Sequence, residues 1–325
     1  MTGMPRTDDR LLLLDTASLY FRAFHGMPDT ITGPDGRPVN AVRGLLDFIA
    51  KFVTEYEPTH IACCWDNDWR PAWRVALLPS YKAHRVDNTV TTTVVGAGGK
   101  GAESGQAEGA PDDLAHQVPM ILDALLALGI HVVGKDGYEA DDVIGTLATG
   151  AGMPVDVVTG DRDLFQLVDD ANKVRVLYVA RGIAKHERID DAWVQAKYGI
   201  TGAQYVDFAT LRGDPSDGLP GVAGVGEKTA ASLINSYGSL TDILTVASQP
   251  GSPVSAGIRS KLGAAVDYLA VAPEVVAVAR DLDLGVRAAE LVLPDGPTDA
   301  DRWAELVESY GLGSSAERIT RALAR

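Results

Sequence analysis

Cysteine is nearly absent from this 325-residue chain: Cys63 and Cys64 are the only two, adjacent inside the apolar run "THIACCWD". Neighbours in a strand point to opposite faces, so they read as reduced core residues, not as a disulfide framework or a thiolate metal site. No apolar run approaches the roughly 20 residues of a membrane span. "LLLL" at 11–14 is too short for a signal-peptide core and meets Asp15 at once, so a cytoplasmic location away from membranes is expected. Basic residues are scarce as well. Lys and Arg number 29 against 44 Asp and Glu, a net charge of −15, which counts against binding polyanions by overall charge. One local exception stands out: Arg70, Arg74, Lys82 and Arg85 share a stretch without a single acid. A solvated charged face is the plainer reading of that island.

What is present suits a globular α/β protein. With 46% hydrophobic residues, the chain can bury one large core or two smaller ones. Short apolar runs at 10–15, 59–66, 129–134, 155–161 and 174–180 read as buried strands, and amphipathic segments such as 41–56 and 112–128 alternate with them. That alternation predicts a parallel sheet with helices on both faces, in which ligands bind beyond the carboxyl ends of the strands. Residues 89–110, "TVTTTVVGAGGKGAESGQAEGA", have no helical period and little to bury, and read as a mobile segment. After about residue 189 the strand signals thin out and helices dominate to residue 325.

The carboxylates fall where such a sheet would use them. Asp15 ends the first strand, Asp66 the second, and Asp161 the fourth, with Asp163 two residues on. In "YEADDVIGTLA", Glu139, Asp141 and Asp142 open a helix, where Glu139 and Asp142 share a face and Asp141 projects sideways. Acids favour a helix start in any case, which is the bland reading of that motif. "GDPSDG" adds Asp214 and Asp217. Nine carboxylates at one rim could not all stay ionised without cations, and oxygen donors without His or Cys select Mg²⁺ or Mn²⁺. Two such ions would activate a water and stabilise a leaving oxygen.

"GVAGVGEKTA" at 221–230 is no phosphate-binding P-loop, because Glu227 stands between the second glycine and the lysine. Together with "LLLLDTASLYFRAFHGMP", "CCWDND", "LPSYKAHR", "GYEADDVIGTLA", "VVTGDRDLFQLV" and "RGDPSDGLPGVAGVGEKTAASLI", it resembles the 5′-nuclease (flap endonuclease) family, close to the 5′-nuclease domain of bacterial DNA polymerase I, without a polymerase part. The likeness runs from about 11 to 240. It implies a Rossmann-like, PIN-type nuclease core over 1–188 with a helical arch at about 78–118, and a helical region over 189–325 carrying a helix-two-turn-helix motif at about 211–236.

The same resemblance implies metal-dependent hydrolysis of 5′ ends and 5′ flaps in DNA during replication and repair. Asp15, Asp66, Glu139, Asp141, Asp142, Asp161, Asp163, Asp214 and Asp217 match family metal-site acids, and Lys82 and Arg85 match the basic pair facing the scissile phosphate, so that Lys82, Arg85, Asp15 and Asp142 carry the chemistry. Arg22, Arg70, Arg74, Tyr81, Lys82 and Arg85 are expected on the DNA, with Tyr81 stacking on a base. In the hairpin, Gly221, Gly224 and Gly226 let the backbone approach a phosphate, with Lys228 and Thr229 beside it and a K⁺ ion held by carbonyls. Further partners implied are nicked DNA, RNA–DNA hybrids and a separate DNA polymerase, with the protein a monomer. Gly218 departs from the Asn usual after the "SD" pair, and 89–110 separates motifs that lie nearly adjacent in relatives. Two rivals compete: a catalytically silent junction-binding protein, disfavoured because all nine acids are present, and an aspartyl-phosphate phosphatase, which wants an acid where Ala17 stands.

Overall fold

A computed structural model describes residues 9–86 and 111–324; the glycine-rich stretch 89–110 lies outside them, so only the two feet of the expected arch are described. Among these residues a six-stranded sheet has the order β3-β2-β1-β4-β5-β6, built from β1 (Leu11–Asp15), β2 (His60–Trp65), β3 (His131–Gly134), β4 (Val155–Thr159), β5 (Val174–Tyr178) and β6 (Glu187–Ile189). The pairs from β3 across to β5 are parallel, and β6 runs antiparallel to β5. The four leucines of β1 have no exposure, as a strand covered on both faces requires.

Alternation along β1 and β2 sends side chains to two cores. Leu11, Leu13 and Cys64 join one; Leu12, Leu14 and Cys63 join the other. Both cysteines are free and buried. The second core holds α2 (Asn40–Tyr56) and α4 (Asp112–Leu128), after α1 (Thr16–Gly26) and α3 (Ala72–Leu77). The first is covered by α5 (Ala140–Ala148), α6 (Asp191–Tyr198), α7 (Tyr205–Arg212) and α8 (Glu227–Tyr237), with α9 (Leu240–Ser248), α10 (Ala256–Ala264) and α11 (Val266–Val276) following.

The last two helices, α12 (Ala300–Ser309) and α13 (Gly313–Leu323), return to the opposite face, where Trp303, Leu306, Ile319 and Leu323 pack with Ile49 and Phe52. The helical region after 189 is therefore divided between both faces of the sheet. Strand order reverses at β1, which has β2 on one side and β4 on the other. The carboxyl ends of β1 and β4 thus flank the switch point where an open α/β sheet binds ligands.

Candidate metal and nucleic-acid site

Asp15 leaves β1 and immediately caps α1: its Oδ1 accepts from the Ser18 amide at 3.2 Å, and its Oδ2 from the Thr159 hydroxyl at 2.6 Å. Burial outweighs these bonds and pushes its carboxyl up to about 6. Asp66 follows β2 and accepts from the Ala140 amide at 2.7 Å, yet burial, with the charges of Asp15 and Glu139, takes it to about 7. Asp141, in the first turn of α5, is held well above the usual carboxylate range by burial and then by the charges of Asp15, Asp161 and Glu139. Asp161 follows β4, its amide bonded to the Thr159 hydroxyl at 2.9 Å. These four acids and Glu139 line one cavity of about 680 Å³ together with Lys82, Arg85 and Arg22.

A second group adjoins it. The Asp163 amide donates to Asp161 Oδ1 at 2.8 Å, and Asp163 Oδ1 is buried with no hydrogen-bond partner. Burial and the charges of Asp161, Asp217 and Asp214 keep this carboxyl well above its ordinary range. Burial also lifts Asp217 to about 6, against the pull of Lys82. Asp214 is better supplied: its Oδ1 accepts from the Ser216 amide at 2.9 Å and from the Ser216 hydroxyl, and Arg212 reaches its Oδ2 at 3.3 Å.

The donor set fits a hard divalent cation. It offers oxygen alone, buried and mutually repelling, with one orphaned oxygen on Asp163. Among the described residues no three His, Cys, Asp or Glu side chains form a ready-made ion cage. Glu139 in particular is drawn to cations of the chain itself. It accepts from Arg74, from Lys82, and from the Tyr81 hydroxyl at 2.7 Å, and despite burial the Lys82 and Arg74 charges hold it below its usual value.

Four expectations need correction here. Asp142 is fully buried, with both oxygens committed: Oδ1 accepts from Arg74 at 2.7 Å and the Ala279 amide at 2.8 Å, Oδ2 from Arg74 at 2.9 Å and the Glu139 amide at 3.2 Å. It closes a capping box with Glu139, so the structure gives Asp142 the helix-start role of the bland reading and turns its oxygens to Arg74 and the backbone. Arg74, expected on DNA, is 2% exposed and also donates to the carbonyls of Val275 and Ala277. Tyr81, expected to stack on a base, is 5% exposed, and its hydroxyl donates to Glu139 at 2.7 Å. Gly221 is buried, a Cβ there would sit 2.6 Å from the Arg212 carbonyl, and its φ near +65° serves the turn.

The remaining basic residues stand at the acids. Lys82, in a left-handed conformation at φ 48°, pairs with Glu139, and its amide donates to the Asp217 carbonyl at 2.9 Å. Arg85 donates to Asp217 Oδ1 and to the Ser216 carbonyl, both at 2.7 Å. Arg22 donates to the Ala180 carbonyl at 3.0 Å, in space left by Gly160, where a Cβ would lie 2.4 Å from its guanidinium. Arg70 braces the turn below Lys82, donating to the carbonyls of Tyr81 at 2.6 Å and Pro79 at 3.1 Å.

The hairpin joins α7 to α8. Gly224 and Gly226 are exposed, Gly226 caps α8, and nothing lies within 4 Å of where its Cβ would be. Lys228 is exposed and Thr229 half-buried in the first turn of α8, whose leading amides have no intrahelical acceptors. Two features escaped the sequence: Thr159, which orients both Asp15 and Asp161, and Lys261, whose ammonium donates to the Gly224 carbonyl at 2.8 Å. The threonine directly before "GD" was a usable signal. Lys261, 37 residues beyond its partner, left none.

Comparison with known proteins closes the question of family. Residues 10–199 match the model of the 5′-3′ exonuclease N-terminal resolvase-like domain, and 200–299 that of the 5′-3′ exonuclease C-terminal SAM fold. A 5′-3′ exonuclease of Streptomyces coelicolor is 52% identical over 96% of this chain and 99% of its own length, and one of Mycobacterium tuberculosis is 48% identical over 96% and 97%. DNA polymerase I of Mycobacterium bovis is 37% identical over 98% of this chain, which spans 32% of that protein. In fold the chain is similar to the T5 D15 protein co-crystallised with metal ions, with a TM-score of 0.62 at 17% identity over 97% and 98% of the two chains. It is similar also to the catalytic core of Rad2 in complex with DNA, at 0.57 and 15% over 97% and 91%. With the two models running end to end along the sheet and the hairpin, and relatives about half identical over nearly the whole length, the chain belongs to the 5′-3′ exonuclease family.

Proposed function

We propose that this chain hydrolyses DNA phosphodiesters at 5′ ends and 5′ flaps, leaving a 5′ phosphate and a 3′ hydroxyl, with acids of the β1/β4 rim holding two divalent ions of the Mg²⁺ or Mn²⁺ type. The observation that carries this reading is the set of buried and half-buried carboxylates at the switch point: Asp15, Asp66, Asp141 and Asp163 are all pushed above their ordinary range, and Asp161 stands among them. Asp217 and Asp214 complete the second group. When bound, such ions supply a Lewis acid that acidifies the attacking water and draws charge from the leaving oxygen.

The chain's own residues do the rest. Lys82 and Arg85 line the same cavity, where they meet the non-bridging oxygens of the reacting phosphate and offset the charge that builds there. Glu139 orients the Lys82 ammonium, and Asp217 orients Arg85. Arg22 lines the cavity as well. The start of α8, with Gly224, Gly226, Lys228 and Thr229, grips duplex backbone without reading sequence. An alkali ion at this hairpin has a competitor, since the Lys261 ammonium already sits on the Gly224 carbonyl. Binding should weaken as salt rises. Cellular work alongside a separate polymerase, and action on RNA–DNA hybrids, belong to the same reading.

The test is a labelled 5′-flap duplex incubated with and without Mn²⁺, with the fragments sized. Metal-dependent release of the flap at the junction is expected. An uncut flap in the presence of Mn²⁺ would overturn the reading.

A further inference from the structure

Beside the acid cavity lies a second cleft, of about 490 Å³, that no step above uses. Its walls come from the β4 exit, β5, β6 and α6. Arg162, Arg181 and Lys197 line it, all exposed, against one acid, Glu187. In a chain of net charge −15, that local excess of cations is unusual. Arg181 is held loosely: it stands 4.0 Å from Glu187 with 77% of its side chain in solvent.

The floor is aromatic. Tyr178, Trp193 and Tyr198 line the cleft around the buried Phe165. Phe165 meets Tyr178 at 5.0 Å and 75°, and Trp193 at 5.6 Å and 73°; Trp193 meets Tyr198 at 6.0 Å and 68°. None of these pairs is stacked face to face, and Tyr178 and Trp193 are only half-buried. Half-exposed rings bordered by exposed cations are what an unpaired nucleotide needs: a ring face for the base and positive charge for its phosphate.

Chain neighbours line the cleft and the acid cavity. Arg162 directly follows Asp161, a lining residue of that cavity. Ala180 lines the cleft and Gly182 the cavity, and the Ala180 carbonyl between them receives Arg22. A strand whose phosphate lies at the acids would therefore carry a neighbouring nucleotide across this wall. We infer that the cleft between β5, β6 and α6 is a subsite for an unpaired nucleotide of the DNA substrate, with the base against Trp193 and Tyr178 and the phosphate held by Arg162, Arg181 and Lys197. The inference rests on the proposed nuclease reading.

The experiment separates the two. In EDTA, the full chain is titrated with a flapped duplex carrying 2-aminopurine at successive unpaired positions, and with a fully paired duplex as control. Quenching at one or two positions next to the junction is expected. R181Q/K197Q should weaken binding of the flapped duplex about tenfold, flatten its dependence of log K on log salt by about 1.4, and leave the paired duplex unchanged. W193F should restore 2-aminopurine emission. Quenching and affinity equal to the parent's in both variants would overturn the subsite. Failure of the parent chain to cut in Mn²⁺ would instead strike the nuclease reading, which the binding arm does not use.

Discussion

Asp141 and Asp142 are neighbours in the first turn of α5, yet they belong to two regions with opposite electrostatics. Asp142 faces inward, where Arg74 bridges it to Glu139 and the backbone supplies two further donors. Asp141 faces the rim, where burial and three like charges resist its ionisation. In the interior the chain neutralises its own acids; at the rim burial and like charge lift Asp15, Asp66 and Asp141, although Arg85 pairs with Asp217. A row of acids in one motif is therefore two devices, one that locks α5 in place and one that, in the proposed reading, takes cations from solution.

Replacing Arg74 with Met should break the interior region most severely. It strands Glu139 and Asp142 as buried charges, and about 3–5 kcal/mol of stability should be lost, measured by urea unfolding in EDTA. A loss near zero would mean that Asp142 does not depend on Arg74. Asp141→Asn probes the other side. Cleavage should fall roughly 10²–10³-fold, while stability without metal holds or rises because a neutral amide removes a disfavoured charge. Asp142→Asn should reverse that pattern, losing stability first; an inactive but fully stable D142N protein would return Asp142 to the chemistry.

pH is a gentler handle on the rim. Asp15 and Asp66 titrate near 6 and 7 in the folded chain against 3.8, so the folded state holds more protons than the unfolded one across that window. Metal-free stability should therefore decline as pH rises from about 4 to 7, by up to about 1.4 kcal/mol per unit per group. Added Mn²⁺ should flatten the decline, and melting curves at stepped pH would show it. The smallest expected effect sharpens the interior: at Gly145 a Cβ would lie 2.5 Å from the Ala279 carbonyl and 2.7 Å from Val278. Gly145→Ala should cost about 1–3 kcal/mol, with metal-dependent cleavage per folded molecule unchanged.

Much of this was legible in the sequence. The five parallel strands announced themselves as apolar runs, and the strand-end acids followed from them. β6 did not, because Glu187, Arg188 and Ile189 offer one apolar residue and gain their strand only by pairing with β5. The direction of Asp142 was hidden for another reason. Spacing gives the shared face of Glu139 and Asp142, but what covers that face is a guanidinium 65 residues before Glu139 and backbone groups beyond residue 274. The basic island misled in the same way: Arg74 has no acid near it in sequence because its acids approach from elsewhere in the fold.

Segment 275–279 carries one more consequence. Its carbonyls hold Arg74, its amide at Ala279 completes Asp142, and Val278 covers Gly145. A chain emerging from the ribosome lacks these groups until residue 279 has been made. Until then α5 has no finished seat, so the inward side of the acid motif is completed only by a residue made 137 positions after Asp142.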